Sequence, residues 1–380
     1  MKKIFFALLA IASLNMMAAG DAAEVMKNLK SRIAPDKRTA IWDVKTSTKG
    51  ETVTVTGSVG LQEQKNAISK ELADKGFTNV QNNVKVIQDG VPAGKRWAQV
   101  MLAVASMRCT GDHAGEMATQ GIMGQPVRVI DCSGDWYRVQ TPDMYISYVP
   151  SSSVVFKTEA QMKAWKEAKR YIVTAYETNL VTEAGGDEVI TDLVMGSILE
   201  YKGEKANWVQ LATPDGRVGW VSAKEVAEFS EWAKQNFDAK KIEATARHLL
   251  GHGYLWGGTS TKVTDCSGLV KVSYFNNGII LARDASQQAL YGKIIKGTDW
   301  KQCKLGDLLF FGKNRVTHVG IYLYDGKFIH CSGRVKINSL YPNAKDYLYS
   351  PRSCTRIDGM IGTPFITYVR DHSWYFNKEN

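Results

Sequence analysis

The sequence has no run of five like charges, no Cys-x-x-Cys pair, and no apolar stretch of about 18 residues after its first twenty positions. Each absence excludes something. Without a block of charge, the net +10 of the 380 residues is spread along the chain and offers no basic tail to a nucleic acid. A diffuse positive surface suits an anionic polymer or an acidic peptide, and it equally serves solubility. Without a second long apolar stretch, no membrane span is expected in the mature chain. Without closely spaced thiols a structural zinc is not expected, and no other metal or cofactor is called for. What remains is ordinary globular composition, 44% hydrophobic and 23% charged, at a length that suggests roughly two to four domains.

The first residues read as a targeting segment. Lys2 and Lys3 precede the apolar run Ile4–Leu14, and Ala18-Ala19-Gly20 supplies small residues of the kind a signal peptidase cuts beside. Residues 1–20 are therefore expected to be a signal peptide, and the protein to be exported to the periplasm or the extracellular space. In that setting the six cysteines, Cys109, Cys132, Cys266, Cys303, Cys331 and Cys354, invite a disulfide reading. Cys109 and Cys132 fall in one domain and form a plausible local bridge. If Cys266 is kept as a thiol, parity leaves at least one more cysteine free.

Residues 24–95 read as a small αβ module. Thr39–Val44 and Thr52–Ser58 are strand-like, Gln62–Lys75 has helical spacing ended by Gly76, and Val80–Ile87 is strand-like again. An internal repeat follows. At a constant offset of 72 residues, Met123-Gly124 matches Met195-Gly196, Trp136 matches Trp208, Pro142-Asp143 matches Pro214-Asp215 and Val149 matches Val221. Short β-branched strands between Gly and Pro-Asp turns make each copy a small all-β barrel, at 98–157 and 172–230, joined by a helical connector at 158–171. Residues 238–380 change character: helices over Lys241–Leu250 and from Cys266 to about Asn276, then strands near Asp307–Phe311, Val316–Tyr324 and Lys327–His330. That order makes the fold class α+β multidomain.

The chemistry concentrates in this last region. Asp265 is a good helix cap, which puts Cys266 in the first turn of the following helix, where the partial positive charge of the helix start favours a thiolate. A lone cysteine in an exported protein would read as structural. Two histidines reverse that reading. His318 and His330 flank Asp325-Gly326 in hairpin order. A two-residue turn would throw them onto opposite faces. A three-residue turn with Gly326 left-handed sets His330 opposite Gly320 and brings both rings to one face. The expectation is therefore an odd-length turn.

The ordered motifs Tyr254-x-Trp256-Gly257-Gly258, Asp265-Cys266-Ser267-Gly268, Gly306-Asp307-Leu308 and His318-Val-Gly-Ile-Tyr, with His330 twelve residues on, resemble the NlpC-type cysteine peptidases of cell walls, a papain-like family. The repeated barrels resemble bacterial SH3-type domains, and residues 24–95 resemble, more distantly, the BON module of bacterial envelope proteins. The resemblance implies Cys266 as nucleophile, His318 as general base and then acid, His330 as its orienting partner, and an oxyanion held by the Cys266 backbone N–H with the Tyr254 hydroxyl. The arrangement of two SH3-type barrels before the peptidase resembles the subgroup that cuts γ-D-glutamyl–diamino acid bonds in peptidoglycan-derived peptides with a free N-terminal L-Ala. In that subgroup an Asp binds the amine, and Asp284 stands in its place, with Ser267 adding a hydroxyl. Glu116 and Tyr145 match an acidic residue and a tyrosine at the mouth of the site, and Trp256 and Asp265 complete the expected substrate contacts. One departure stands out: Ala285, where members often have Ser, follows Asp284. In the second barrel the position of Tyr145 is held by Arg217. Two other readings remain at this level: an autolysin or effector acting on intact wall through the barrels, and a wall-binding protein without activity.

Overall fold

The computed structural model describes residues 22–295, 300–348 and 350–377; the expected signal peptide lies outside them. Contacts divide the chain into two compact units, Met1–Arg96 with Val129–Cys132, and Trp97–Arg128 with Ser133–Asn380.

In the first unit, apolar residues at helical spacing (Val25, Met26 and Leu29 on Ala22–Ile33, Ile68 and Leu72 on Gln62–Asp74) pack on Val53, Val55 and Val59 of a central strand, Thr52–Val59. Each such fully buried aliphatic side chain contributes about 1.5–3 kcal/mol. That strand pairs antiparallel with Trp42–Lys49 and parallel with Val80–Asn82 and Lys85–Val86. Two details depart from the sequence reading. The first strand starts at Trp42 rather than Thr39, because the Asp36 carbonyl accepts from the Thr39 and Ala40 N–H groups and closes a turn there. The stretch after the second helix breaks into two short strands, because Asn82 Oδ1 accepts from the Val84 N–H and turns the chain.

In the second unit the repeat becomes architecture. One seven-stranded sheet runs in the order Val154–Lys157, Trp97–Val100, Pro126–Ser133, Trp136–Gln140, Ile146–Pro150, Val104–Arg108, Met117–Ile122. The other runs Val226–Glu228, Arg170–Val173, Ile198–Lys205, Trp208–Ala212, Val218–Ser222, Glu177–Val181, Val189–Val194. Strand for strand the two orders agree. The connector helix Glu159–Glu167 starts on a reciprocal cap between Thr158 and Gln161. It ends earlier than its residues suggest, because Arg170 already belongs to the next strand.

The C-terminal region sets helices Ala239–His248 and Cys266–Phe275 against a six-stranded sheet. Its strands are ordered Lys293–Ile294, Ser353–Arg356, Leu308–Phe311, His318–Tyr322, Lys327–Ser332, Arg334–Ser339. Leu269, Val270 and Tyr274 of the second helix meet Ile242 and Ala246 of the first and Leu308, Phe310, Val319, Ile321 and Ile329 of the sheet. The start of that helix is thereby fixed against the strand that begins at His318. Among the described residues no helix is long and apolar enough to cross a membrane.

Candidate active site

Asp265 is extended (φ −95°, ψ −170°) and its Oδ1 accepts from the Gly268 N–H at 2.6 Å, so the helix begins at Cys266. Its second oxygen accepts from the Gly257 N–H (3.0 Å) and from Arg283 Nη2 (2.6 Å). Arg283 also donates through Nη1 to Ser267 Oγ (2.9 Å), and Ser267 donates to Asp265 Oδ1 (3.1 Å). Arg283 is fully buried, and it is the residue that sequence reasoning missed. A buried ion pair is costly, and Arg283 Nε is left without a partner, but the bonds of both terminal nitrogens and of Asp265 lock the loop 257–258 to the helix start. Asp265 and Ser267, both expected to touch substrate, have their oxygens engaged in this network.

Cys266 is buried. Its sulfur receives the backbone N–H groups of Ser267 and Val319. Burial, with the Asp265 charge behind it, pushes the thiol up to about 12, and the two N–H donors and Arg283 oppose that shift. Val319 follows His318 on its strand, so the sulfur lies against the start of the histidine hairpin.

The hairpin has the odd-length turn. Ile321 lies opposite Ile329 and Tyr322 opposite Phe328, with Gly326 left-handed at φ +65°. Gly320 faces His330, and a methyl group there would come within 3.1 Å of the His330 Cβ and 2.8 Å of Phe328. In the space left by that glycine the rings meet edge to face, His318 Nε2 to His330 Nδ1 at 2.7 Å. His330 Nε2 is bonded in turn to Asn338 Oδ1 at 2.8 Å. Burial pulls His318 down to about 3, aided by His330 and Lys336 and opposed by Asp265. Burial likewise pulls His330 down to about 4, against the Asn338 hydrogen bond. Both rings rest neutral at pH 7. Asn338 was also missed, although a signal existed: the turn at Gly333 pairs His330 with Lys336, making Asn338 its diagonal neighbour on the same face.

The half-buried Tyr254 hydroxyl is held protonated well above its usual value by burial and by the charges of Cys266 and Asp265. Trp256, at the other end of the same loop, is 58% exposed. The first barrel reaches this loop directly. Thr259 Oγ1 accepts from the Gln120 N–H (3.0 Å), the Thr259 N–H donates to Gln120 Oε1 (2.8 Å), and Thr119 Oγ1 lies 3.3 Å from Thr259 Oγ1. Tyr145 Oη donates to Asp284 Oδ2 at 3.0 Å. Glu116, whose carbonyl accepts the Cys109 N–H (2.8 Å), and Asp284 both act electrostatically on the Cys109 thiol, so the two carboxylates share one neighbourhood. The site thus brings Cys266, His318, His330 and Tyr254 together. A second group, Glu116, Tyr145 and Asp284, gathers where the first barrel meets the peptidase region.

A chain segment matching the NlpC/P60 family model spans residues 251–352 and contains the sulfur and both imidazoles. Residues 107–154 match the bacterial dipeptidyl-peptidase Sh3 domain, and 182–227 match the bacterial SH3 domain. Dipeptidyl-peptidase 6 of Lysinibacillus sphaericus is 30% identical over 261 residues, covering 64% of this chain and 91% of that protein. This chain belongs to the NlpC/P60 family. A γ-D-glutamyl-L-lysine dipeptidyl-peptidase of Bacillus cereus is 27% identical over 248 residues, 62% of this chain and 72% of its own. The crystal structure of an NlpC/P60 family protein from Bacillus cereus has the same fold, with TM-score 0.59 and 22% identity over 68% of this chain and 99% of its own.

As an NlpC/P60 protein it is a cysteine peptidase on a papain-like fold, preceded by SH3-type domains. One expectation needs correction. Cys109 and Cys132 are not bridged: both are free, exposed thiols. Cys303, Cys331 and Cys354 are free too, and Cys331 spends its S–H on the Thr264 carbonyl (3.4 Å), two residues before Cys266. His248 and His252 stand four residues apart and are each engaged elsewhere. His248 stacks on Tyr176, its ring centroid 3.3 Å away, and His252 Nδ1 donates to the Thr261 carbonyl.

Proposed function

We propose that this exported peptidase hydrolyses the γ-D-glutamyl–diamino acid bond of peptidoglycan stem peptides that carry a free N-terminal L-Ala, in turnover of released muropeptides. The observation that carries the reading is the Tyr145–Asp284 hydrogen bond, with Glu116 close by. Two carboxylates and a hydroxyl suit an ammonium group, and a longer chain in place of that ammonium would leave the charges unpaired. The B. cereus relative named for a γ-D-glutamyl-L-lysine substrate supports the bond assigned.

In this reading Cys266 Sγ attacks the γ-carbonyl carbon while its proton passes to His318 Nδ1. The resting pair is neutral, so charge separation is driven by the attraction between thiolate and imidazolium, the helix start, and the N–H donors of Ser267 and Val319. The oxyanion is met by the Cys266 backbone N–H and the Tyr254 hydroxyl, whose raised pKa keeps it a donor. His318 then gives its proton to the leaving amine of the diamino acid. Water, deprotonated by the same ring, attacks the thioester and releases L-Ala-γ-D-Glu. Asp265, Ser267 and Arg283 hold the helix start, and Trp256 forms the exposed rim. Incubation with the tripeptide L-Ala-γ-D-Glu-diaminopimelate, free or N-acetylated, tests the proposal by mass spectrometry. The expected result is dipeptide release from the free-amine peptide alone, and none with Cys266→Ala. Equal cleavage of both peptides refutes the amine requirement. Inertness toward both refutes the catalytic assignment, and extensive release from intact sacculi refutes the restriction to released peptides.

A further inference from the structure

We infer that Asn338 is a positioning residue that fixes which nitrogen of His318 and of His330 carries the proton, and that it takes its own orientation from one backbone carbonyl, that of Asp346. The inference rests on the roles proposed above for the two histidines, but its geometry stands apart from them. A peptide carbonyl can only accept. Asn338 Nδ2 lies 2.5 Å from the Asp346 oxygen, so the amide NH2 points there and Oδ1 must face His330. Oδ1 is also an acceptor, so His330 Nε2, 2.8 Å away, has to be N–H. A neutral ring carries one proton, which leaves a lone pair on His330 Nδ1. The 2.7 Å contact then requires His318 Nε2 to be N–H, and the proton-accepting nitrogen of His318 is Nδ1. One carbonyl thus decides, through an amide and two rings, that the proton acceptor of the base is Nδ1.

The carbonyl itself is well fixed. Asp346 O also accepts the Ser339 N–H at 3.2 Å, and the Asp346 carboxylate pairs with Lys327 Nζ at 3.1 Å. Once His318 takes a proton at Nδ1, its positive charge is spread along the same chain toward the Asn338 oxygen. Lys336 on the neighbouring strand opposes that charge and Asp265 favours it. Without Asn338, His330 is free to place its proton on Nδ1. His318 must then accept at Nε2, which puts its proton on Nδ1, the wrong side for a base.

Long-range nitrogen–proton NMR of protein labelled with 15N-histidine tests this, since the chain has only six histidines. Wild type at pH 7 is expected to show protonated Nε2 and unprotonated Nδ1 for both His318 and His330. Asn338→Ala is expected to give averaged ring-nitrogen shifts at both histidines, with kcat down 10- to 100-fold and KM within about twofold. Asn338→Asp keeps an acceptor on His330 Nε2, so it restores the nitrogen pattern and raises the pH of the acid limb. His372 is the internal control for folding. Its Nε2 donates to the Pro142 carbonyl (2.9 Å) and its Nδ1 accepts from the Trp374 N–H (3.2 Å), so its shifts stay unchanged in every folded variant. A protonated Nδ1 on His318 in wild type overturns the inference. So does an Asn338→Ala protein with wild-type nitrogen shifts and pH profile. Loss of all peptidase activity in wild type sinks the proposed function instead, and the nitrogen shifts then still decide the protonation pattern.

Discussion

The two barrels share a turn and use it differently. In the first, Thr141 Oγ1 donates to Asp143 Oδ1 (2.5 Å) and lies 3.1 Å from the Tyr145 carbonyl. In the second, Thr213 Oγ1 donates to Asp215 Oδ1 (2.6 Å) and lies 3.2 Å from the Arg217 carbonyl. The backbone is duplicated down to these bonds. What differs is where the side chains go. Asp143 pairs with Lys271 on the helix Cys266–Phe275 in a buried contact, and Tyr145 reaches Asp284. Asp215 instead pairs with its own neighbour Arg217, which donates to the Met101 carbonyl of the first barrel. One copy is turned toward the peptidase region, and the other braces its twin. A duplicated scaffold can keep its local chemistry and still diverge in role, because two side chains per turn decide what the turn holds.

Substitutions in the two barrels and at the residues they hold should have effects of graded size. Lys271→Met leaves Asp143 buried and unpaired, and should cost about 3–5 kcal/mol of stability at pH 7 in a denaturant titration. The sign with pH follows from the pairing. Lys271 and Thr141 hold the Asp143 carboxyl below its usual range against the opposing effect of burial. The wild-type contribution is therefore present above about pH 4 and is lost as pH falls through the folded value. The variant's deficit should accordingly shrink between pH 6 and pH 3. A deficit that does not vary with pH would show that packing, not charge, joins the barrel to the helix.

Next in size, Tyr145→Phe and Asp284→Asn should lower kcat/KM for the free-amine tripeptide by about 10- to 100-fold, the range expected for losing a hydrogen bond to a charged group. The preference for the free-amine over the N-acetylated peptide should fall with it, since the residual reaction no longer depends on the ammonium group. Equal losses on both would place these residues outside amine recognition.

The pH profile reports on the two buried imidazoles, His318 and His330. Burial holds His318 down at about 3 and His330 at about 4, so the base form survives mild acid. The acid limb of kcat/KM should lie below pH 5 rather than near 6.5, and a limb at the ordinary histidine value would mean the rings are hydrated in solution. The smallest effect belongs to the second barrel. Arg217→Ala breaks a partly exposed ion pair and should cost under about 1 kcal/mol, with kcat/KM within twofold of wild type. A larger kinetic loss would give the second barrel a part in the reaction.

Much of the site was legible in the chain because its signals are periodic or local. The 72-residue offset carries over to the strands Trp136–Gln140 and Trp208–Ala212 and to Ile146–Pro150 and Val218–Ser222. The hairpin register followed from requiring two imidazoles on one face, which only an odd turn allows. Arg283 was not legible. Nothing in its neighbours marks a guanidinium that will cross to Asp265, because a buried ion pair is made by whichever loops the core brings together. Asn338 was half legible, through the Gly333 turn, but its bond to Asp346 depends on a loop with no periodic signal.

The order of modules, the duplication, and the residues that can supply a nucleophile and a base can all be read along the chain, since composition, period and spacing are its own properties. Packing in three dimensions settled that one barrel's tyrosine meets Asp284 while the arginine at the matching position turns to the other barrel, and that the Asp346 carbonyl, Asn338 and the two imidazoles lie in one hydrogen-bonded chain. Those outcomes depend on which buried polar atoms meet once the cores close, and in a dry interior each donor must find an acceptor wherever the packing has put one.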